Sequence, residues 1–416
     1  MSRLDELIRE LCPDGVEYRT LGEITTISRG GNFQKKDFQE DGIPCIHYGQ
    51  IYTKYGLFAD KTFTFINEEC GKKQKYAEKN DIVMAVTSEN IEDVCKCLAW
   101  LGEDKVAVSG HSAIIRHNQN AKYLVYYFHS QMFFAQKRKL AHGTKVIEVT
   151  PDKLLGIKLP VPPLPVQQEI VRILDTFTAL TSELTSELTA ELTARKKQYE
   201  YYRDRLLSFD ENEVQWKTLG EVVEIRSGWG FPNSEQGVTS GEIPFFKVSD
   251  MNNKGNETFM YTANNYVSPD VAKKLKCKPV PKGTIIFPKI GAAIATNKKR
   301  ITTCEACYDN NVIGLIASND IVGKFLFYIM GAVDLMRFAD SSGAMPSIRK
   351  STLEKFKIPI PPLEIQNRIV SILDRFDSLC NDLSSGIPAE IEARKKQYEY
   401  YRDKLLTFKE KPKEAV

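Results

Sequence analysis

The chain of 416 residues has no apolar run near the 18 residues of a membrane span and no charged-then-apolar leader after Met1. Its composition therefore predicts a soluble, cytoplasmic protein. All five histidines (His47, His111, His117, His129 and His142) lie in the first part of the chain, so no histidine-dependent chemistry can operate twice. No Walker-type phosphate loop and no dinucleotide fingerprint follows a strand-like run. The Asn/Asp-Pro-Pro-Tyr/Phe sequence that an adenine methyltransferase needs is absent, and Pro151-Asp152 and Pro269-Asp270 lack the Glu-x-Lys of a metal nuclease. Nine cysteines include two unmatched pairs, Cys95/Cys97 and Cys304/Cys307, short of the four ligands of a zinc site; they read as reduced, structural thiols. No residue is assigned to catalysis or to a metal.

What is present is repetition. Ala194 to Phe209, ARKKQYEYYRDRLLSF, returns at Ala393 to Phe408 as ARKKQYEYYRDKLLTF, identical at 14 of 16 positions and displaced by 199 residues. The same displacement relates LPVPPLPVQQEIVRILDTFTAL from Leu159 to IPIPPLEIQNRIVSILDRFDSL from Ile358. Two copies are too few for a solenoid, so the chain reads as a duplicated protein. Fainter matches, Val16 to Glu23 with Val214 to Glu221 and Gly143 with Gly343, extend the duplication outside the near-identical stretch. The order is variable block, repeat, variable block, repeat, with boundaries at 1–157, 158–210, 211–356 and 357–416.

The repeat opens on Pro160, Pro162, Pro163 and Pro165, then runs from Val166 to Phe209 without proline or glycine, which predicts one long helix. Ile170, Ile173, Phe177, Leu180 and Leu184 follow coiled-coil spacing, and the tetrapeptides Thr181-Ser-Glu-Leu184, Thr185-Ser-Glu-Leu188 and Thr189-Ala-Glu-Leu192 then shift the stripe as stutters. The second copy carries Gly386 and Pro388 at this place, which predicts a kink or break. Leu4, Leu7, Ile8 and Leu11 predict a short helix, expected to lie near the C-terminal one. The fold class is mixed α+β: two globular domains separated by two long antiparallel helices about a pseudo-twofold axis.

Within the variable blocks, short β-branched runs such as Ile82 to Val86 and Ser112 to Ile115 alternate with turns, and Ala121 to Lys139 and Gly323 to Arg337 read as helices. The net charge of +3 says little, but the basic residues cluster. The first block holds Lys35, Lys36, Lys72, Lys73, Lys137 and Arg138; the second holds Lys273, Lys274, Lys298, Lys299, Arg300, Arg349 and Lys350. Any one cluster reads as ordinary solvated surface; recurrence in both blocks favours a polyanion. Two glycine loops stand out: Ser28 to Phe33, with counterpart Arg226 to Phe231, and Gly143 to Lys145, with counterpart Ser342 to Pro346. Their glycines suit either a plain tight turn or close approach of backbone to a ligand. Arg29 and Arg226 have the reach for a guanine edge or a phosphate, and Trp229 for stacking or wedging, although burial is the commoner fate of a tryptophan.

The architecture, with Pro-Pro-Leu at 162–164 and 361–363, Gln167 and Gln366, Ile-Leu-Asp-x-Phe ending at Phe177 and Phe376, and the two ARKKQYEYYRD runs, resembles the specificity subunits of type I restriction-modification systems. The resemblance covers the whole chain and implies a non-enzymatic subunit whose two target-recognition domains each read one half of a bipartite duplex DNA target. It also implies two modification subunits docked on the helical regions, with Tyr199, Tyr202, Arg203, Tyr398, Tyr401 and Arg402 as candidate contacts, and restriction subunits in the full complex. S-adenosylmethionine, ATP and Mg²⁺ would sit on those partners. A coiled-coil scaffold with two protein-binding domains, or a binder of single-stranded nucleic acid, are the alternatives that the residues alone leave open.

Overall fold

The computed structural model of the protein describes residues 2–381 and 386–412. Two compact units divide the chain: Met1–Thr185 with Ala393–Val416, and Ser186–Glu392.

Each unit is built on a five-stranded sheet of the same order. In the first the order is Thr25–Arg29, Ser112–His117, Ile82–Ala85, Cys97–Trp100, Phe58–Ala59; in the second it is Val223–Ser227, Val312–Ala317, Ile285–Pro288, Arg300–Thr302, Phe259–Met260. Neighbours are antiparallel except at the last pairing, which is parallel in both. The central strands lack polar alternation because both faces are covered. Ile82 and Met84 point into the cluster under the helices, and Val83 and Ala85 into a second cluster with Ile46, Val106 and Val108. Ile285 and Phe287 against Ile286 repeat this division in the second unit.

The helix predicted over Ala121 to Lys139 is two helices, Ala121–Phe128 and Gln131–Leu140, because the Ser130 hydroxyl accepts from Phe133 N and starts a new N-terminus. Its mate likewise ends early: Gly323–Gly331 is helical, and a short 3₁₀ turn, Leu335–Phe338, follows the Asp334 cap.

The long helix spans Leu164–Leu206. Its first half belongs to one unit and its second half to the other. The seam differs from the expected one: Leu180 is 57% exposed, whereas Leu174 is fully buried and Leu184, Leu188 and Leu192 are half-buried. The stripe therefore runs through 170, 174, 181 and 184, after which Leu184, Leu188 and Leu192 keep the four-residue step of the tetrapeptides. In the second copy Leu363–Asn381 and Ile387–Leu405 are separate helices, with Gly386 in a bend and Pro388 in the first turn, as its glycine and proline predict.

Two repeat motifs lock each helix to its own globular part. Gln167, fully buried, accepts from Asn120 N (3.0 Å) and donates to Pro162 O and Gln119 Oε1 (2.8 Å each). Gln366, also fully buried, accepts from Val322 N (2.7 Å) and donates to Pro361 O (2.8 Å). Asp175 accepts from Lys122 Nζ and Tyr126 OH, and Asp374 from Lys324 Nζ and Tyr328 OH. The near-identity of the repeat thus has a local cause: fully buried amides that tolerate no unpaired state, beside half-buried carboxylates that each hold a lysine and a tyrosine.

The chain's two ends meet in the first unit. Helix Arg3–Leu11 buries Leu4 in the cluster that contains Leu406, Val16 N donates to Lys409 O (2.8 Å), and Lys411 N donates to Val16 O (2.9 Å). Gly15 is required there, since φ is +110° and a Cβ would stand 2.6 Å from Lys409 O.

Candidate nucleic-acid interface

The two glycine loops sit on one scaffold, repeated. Gly30 N donates to Ser112 O and Gly31 N to Val108 O; Gly228 N donates to Val312 O and Trp229 N to Tyr308 O. A Cβ on Gly30 would lie 2.2 Å from Ser109 O, and one on Gly228 1.9 Å from Asp309 O. The close approach that these glycines permit is therefore to the protein's own strand ends. Phe33 and Phe231 then anchor the loops, Phe33 buried beside Cys45 and Ile66, Phe231 stacked on Phe245 at 3.8 Å. A 3₁₀ turn follows in each, Lys35–Asp37 and Asn233–Glu235.

The second pair of loops is joined to the first sheet differently in each unit. Arg29 bonds Gly110 O through Nε (3.0 Å) and pairs with Glu148, next to the Gly143 to Lys145 loop. Arg226 instead pairs with Glu224 on its own strand (2.6 Å), and the Ser342 to Pro346 loop meets Gly291, whose N donates to Pro346 O (2.8 Å).

Several predicted contact residues are exposed: Lys35, Lys36, Lys72, Lys73, Arg138, Lys145, Lys273, Lys274, Arg349 and Lys350. Lys36 and Lys73 line one cleft of about 490 Å³ together with Asn32, Gln34, Asn67, Gln74, Cys70 and the acidic Asp37 and Glu69. Lys274 bonds Glu235 (2.7 Å), Arg349 bonds Asp340 (2.5 Å), and half-buried Lys298 bonds Asn252.

Two assignments are corrected by burial, and two further residues are half-buried and engaged within the domain. Lys137 is 5% exposed and donates to Glu92 O (2.8 Å) and Val94 O (2.5 Å), so its ammonium closes a turn inside the domain. Lys299, also 5% exposed, donates to Val333 O and Asn297 Oδ1 (2.7 Å each), and burial pulls its pKa down to about 8. Arg300 spends its guanidinium on Lys299 O and Met251 O. Half-buried Trp229 packs on Tyr308 at 5.6 Å between two core clusters, so at least part of its indole serves the domain's own packing. A basic run in sequence carries no mark of which lysine turns inward.

The helical candidates divide in the same way. Tyr202 stacks on Phe376 at 5.7 Å and Tyr199 lies 6.5 Å from it; Tyr398 OH meets Thr178 Oγ1 at 3.0 Å and Tyr401 lies 6.1 Å from Phe177. Arg203 and Arg402 lie over Tyr199 and Tyr398, each at 5.9 Å. These six residues all touch the protein's own seams, although Tyr202 and Tyr401 keep an exposed edge; the seam runs antiparallel in the first unit, where Phe177 and Thr178 meet Tyr401 and Tyr398. The middle tyrosine of each YEYY, absent from the sequence candidates, is the exposed one: Tyr201 is 60% exposed and Tyr400 62%. Helical phase carries the signal, since 199 and 202 share a face that 201 leaves.

Cys277 and Cys307, 6.7 Å apart at Cα, are joined in a disulfide, which corrects the reading of all nine as thiols; a separation of 30 positions in the chain gives no local sign of the pairing. Cys304 is exposed, while burial raises Cys45 to about 11 and Cys95 to about 12. Among the described residues no His/Cys/Asp/Glu group is placed to hold a metal ion, and no helix is long and apolar enough to cross a membrane.

The comparisons with known proteins agree with the duplication. A family model for the type I restriction modification DNA specificity domain matches twice, at residues 13–194 and 211–393. The chain is 34% identical over 423 residues to the EcoR124I/EcoR124II specificity subunit of Escherichia coli, covering 98% of this chain and 97% of that one. It is 39% identical over 300 residues to a putative type I specificity subunit of Haemophilus influenzae, covering 70% and 72%. The solved HsdS subunit of Thermoanaerobacter tengcongensis shares the fold, with a TM-score of 0.53 at 17% identity over 95% of this chain and 97% of that one. With two family domains, a relative matched end to end and a shared fold, the chain belongs to the DNA specificity subunits of type I restriction-modification systems.

Proposed function

We propose that each globular part, 1–157 and 211–356, reads one half of a bipartite duplex target, while the helical parts, 158–210 and 357–416, set the spacing of the halves and dock two modification subunits. The observation that carries this reading is the duplication itself: one scaffold occurs twice with different exposed loops, beside helices that are nearly the same twice. Unlike surfaces suit two unlike half-sites, and like surfaces suit two copies of one partner. A protein-binding scaffold gives no reason for that division.

As a specificity subunit the chain is non-catalytic; S-adenosylmethionine, ATP and Mg²⁺ are assigned to the modification subunits and to the restriction subunits of the full complex. The exposed lysines and arginines contact phosphates, which orient the duplex without reading it. Tyr201 and Tyr400, rather than the seam tyrosines, are the anchors for the modification subunits, since a large half-polar ring on a helix surface suits a protein interface.

The experiment compares the purified chain with its complex with modification subunits on duplexes with and without the target. The chain alone gives no methylation; the complex methylates and binds the bipartite duplex with a linear dependence of log affinity on log salt. In the complex, Lys273→Ala with Lys274→Ala weakens binding to every duplex and lowers the salt slope by up to about two. Methyl transfer by the chain alone, or an altered target with an unchanged slope, contradicts the reading.

A further inference from the structure

The cleft between the Asn32–Asp37 segment and the Asn67–Gln74 segment has a composition that phosphate binding does not need. Two lysines, Lys36 and Lys73, are balanced in its lining by the carboxylates of Asp37 and Glu69, and the rest is Cys70 and the neutral amides of Asn32, Gln34, Asn67 and Gln74. Phosphates call for cations, whereas base edges offer neutral donors and acceptors that Asn and Gln match in pairs. The backbone here is held at both ends: Gly30 and Gly31 are bonded to strand ends, Phe33 is 4% exposed, and Gln34 N donates to Asp37 Oδ2 (2.8 Å). Asn32 and Gln34 flank the Phe33 anchor and are exposed.

The second unit supplies the independent observation. Its loop makes the same two backbone bonds, has the same phenylalanine anchor and the same 3₁₀ turn, yet places Gly230 and Pro232 where the first has Asn32 and Gln34. Across this turn Glu235 is tied to Lys274 at 2.7 Å. A fixed backbone with exchanged exposed side chains is what a reader of a variable sequence requires.

We infer that Asn32 and Gln34 read base edges in one half of the target, adenine being the base that the carboxamide matches bidentately, with Lys36 and Lys73 on the flanking phosphates. This inference rests on the DNA-reading function proposed above.

The test maps methylated genomic sites in cells carrying the modification subunits with either the native chain or Asn32→Ala/Gln34→Ala. The variant relaxes one or two base positions in one half-site, with discrimination there falling roughly ten- to hundredfold, and leaves the other half-site unchanged. Two intact half-sites overturn the inference, and so does weaker methylation at all sites with no change of sequence. If the double variant fails to fold, Asn32→Ser alone, whose backbone partners are unaffected, is read by the same criterion. A native chain that gives no bipartite pattern would sink the DNA-reading function instead, so the two failures are distinguishable.

Discussion

The two units differ where their loops are exposed and agree where their helices join the globular parts. Asn32 and Gln34 face Gly230 and Pro232 across the duplication, whereas Gln167 matches Gln366, Asp175 matches Asp374, and the Gly30 seat matches Gly228 bond for bond. The difference teaches which residues hold the scaffold and which are free to specify. The buried amides recur because an unpaired one costs about 1–3 kcal/mol, while an exposed loop residue can change at little cost.

The largest expected asymmetry is with pH. The first unit holds all five histidines, and burial lowers the pKa of His47, His117 and His129, the last to about 4. A histidine depressed in the folded state leaves the unfolded chain to take up the proton first. Stability is therefore full above about pH 6.5 and falls as the pH drops towards 4, by on the order of 3 kcal/mol for His129. In the second unit buried Asp250 and Asp309 are raised, which acts in the opposite direction. Hydrogen exchange on the full chain between pH 7 and 5 should show loosening confined to the first unit; equal loosening of both breaks the comparison.

The glutamine locks come next in size. Gln167→Ala and Gln366→Ala each leave a helix-start N–H without its acceptor, Asn120 N and Val322 N, and should cost about 1–3 kcal/mol each. Exchange protection should fall in the mutated unit alone. A change of less than about 0.5 kcal/mol at either would show that the locks are not equivalent.

The smallest effect concerns spacing. Deleting Thr185 to Leu188 removes roughly 6 Å of rise and about 40° of phase from the long helix, while the broken second helix is unaltered. Methylation mapping should show both half-sites kept and the gap between them shortened, most simply by one base pair. An unchanged gap would make the tetrapeptides filler.

The sequence made the duplication, the mixed fold and the helix break at Gly386 and Pro388 legible because each rests on local chemistry or on direct repetition. The candidate site was legible only in outline. Glycine flagged the loops at Gly30 and Gly228, but nothing local distinguishes Lys137 and Lys299, which turn inward to carbonyls, from Lys36 and Lys73, which stay out. That choice is made by tertiary packing from strands and turns distant in the chain. The same holds for Tyr199 and Tyr202, whose neighbour Phe376 lies some 170 residues away in sequence. The cleft itself joins segments about 35 residues apart, and no periodicity announces it.

The central claim, that one scaffold presents two independent readers, is tested most directly by exchanging one of them. Thr20 to Gly156 is replaced by the corresponding part of another specificity subunit with a known target, and the methylated sites are mapped in cells that supply the modification subunits. The account predicts a new hybrid target in which one half-site is that of the donor, and the other half-site is unchanged. A change in both halves, or in neither, would contradict it.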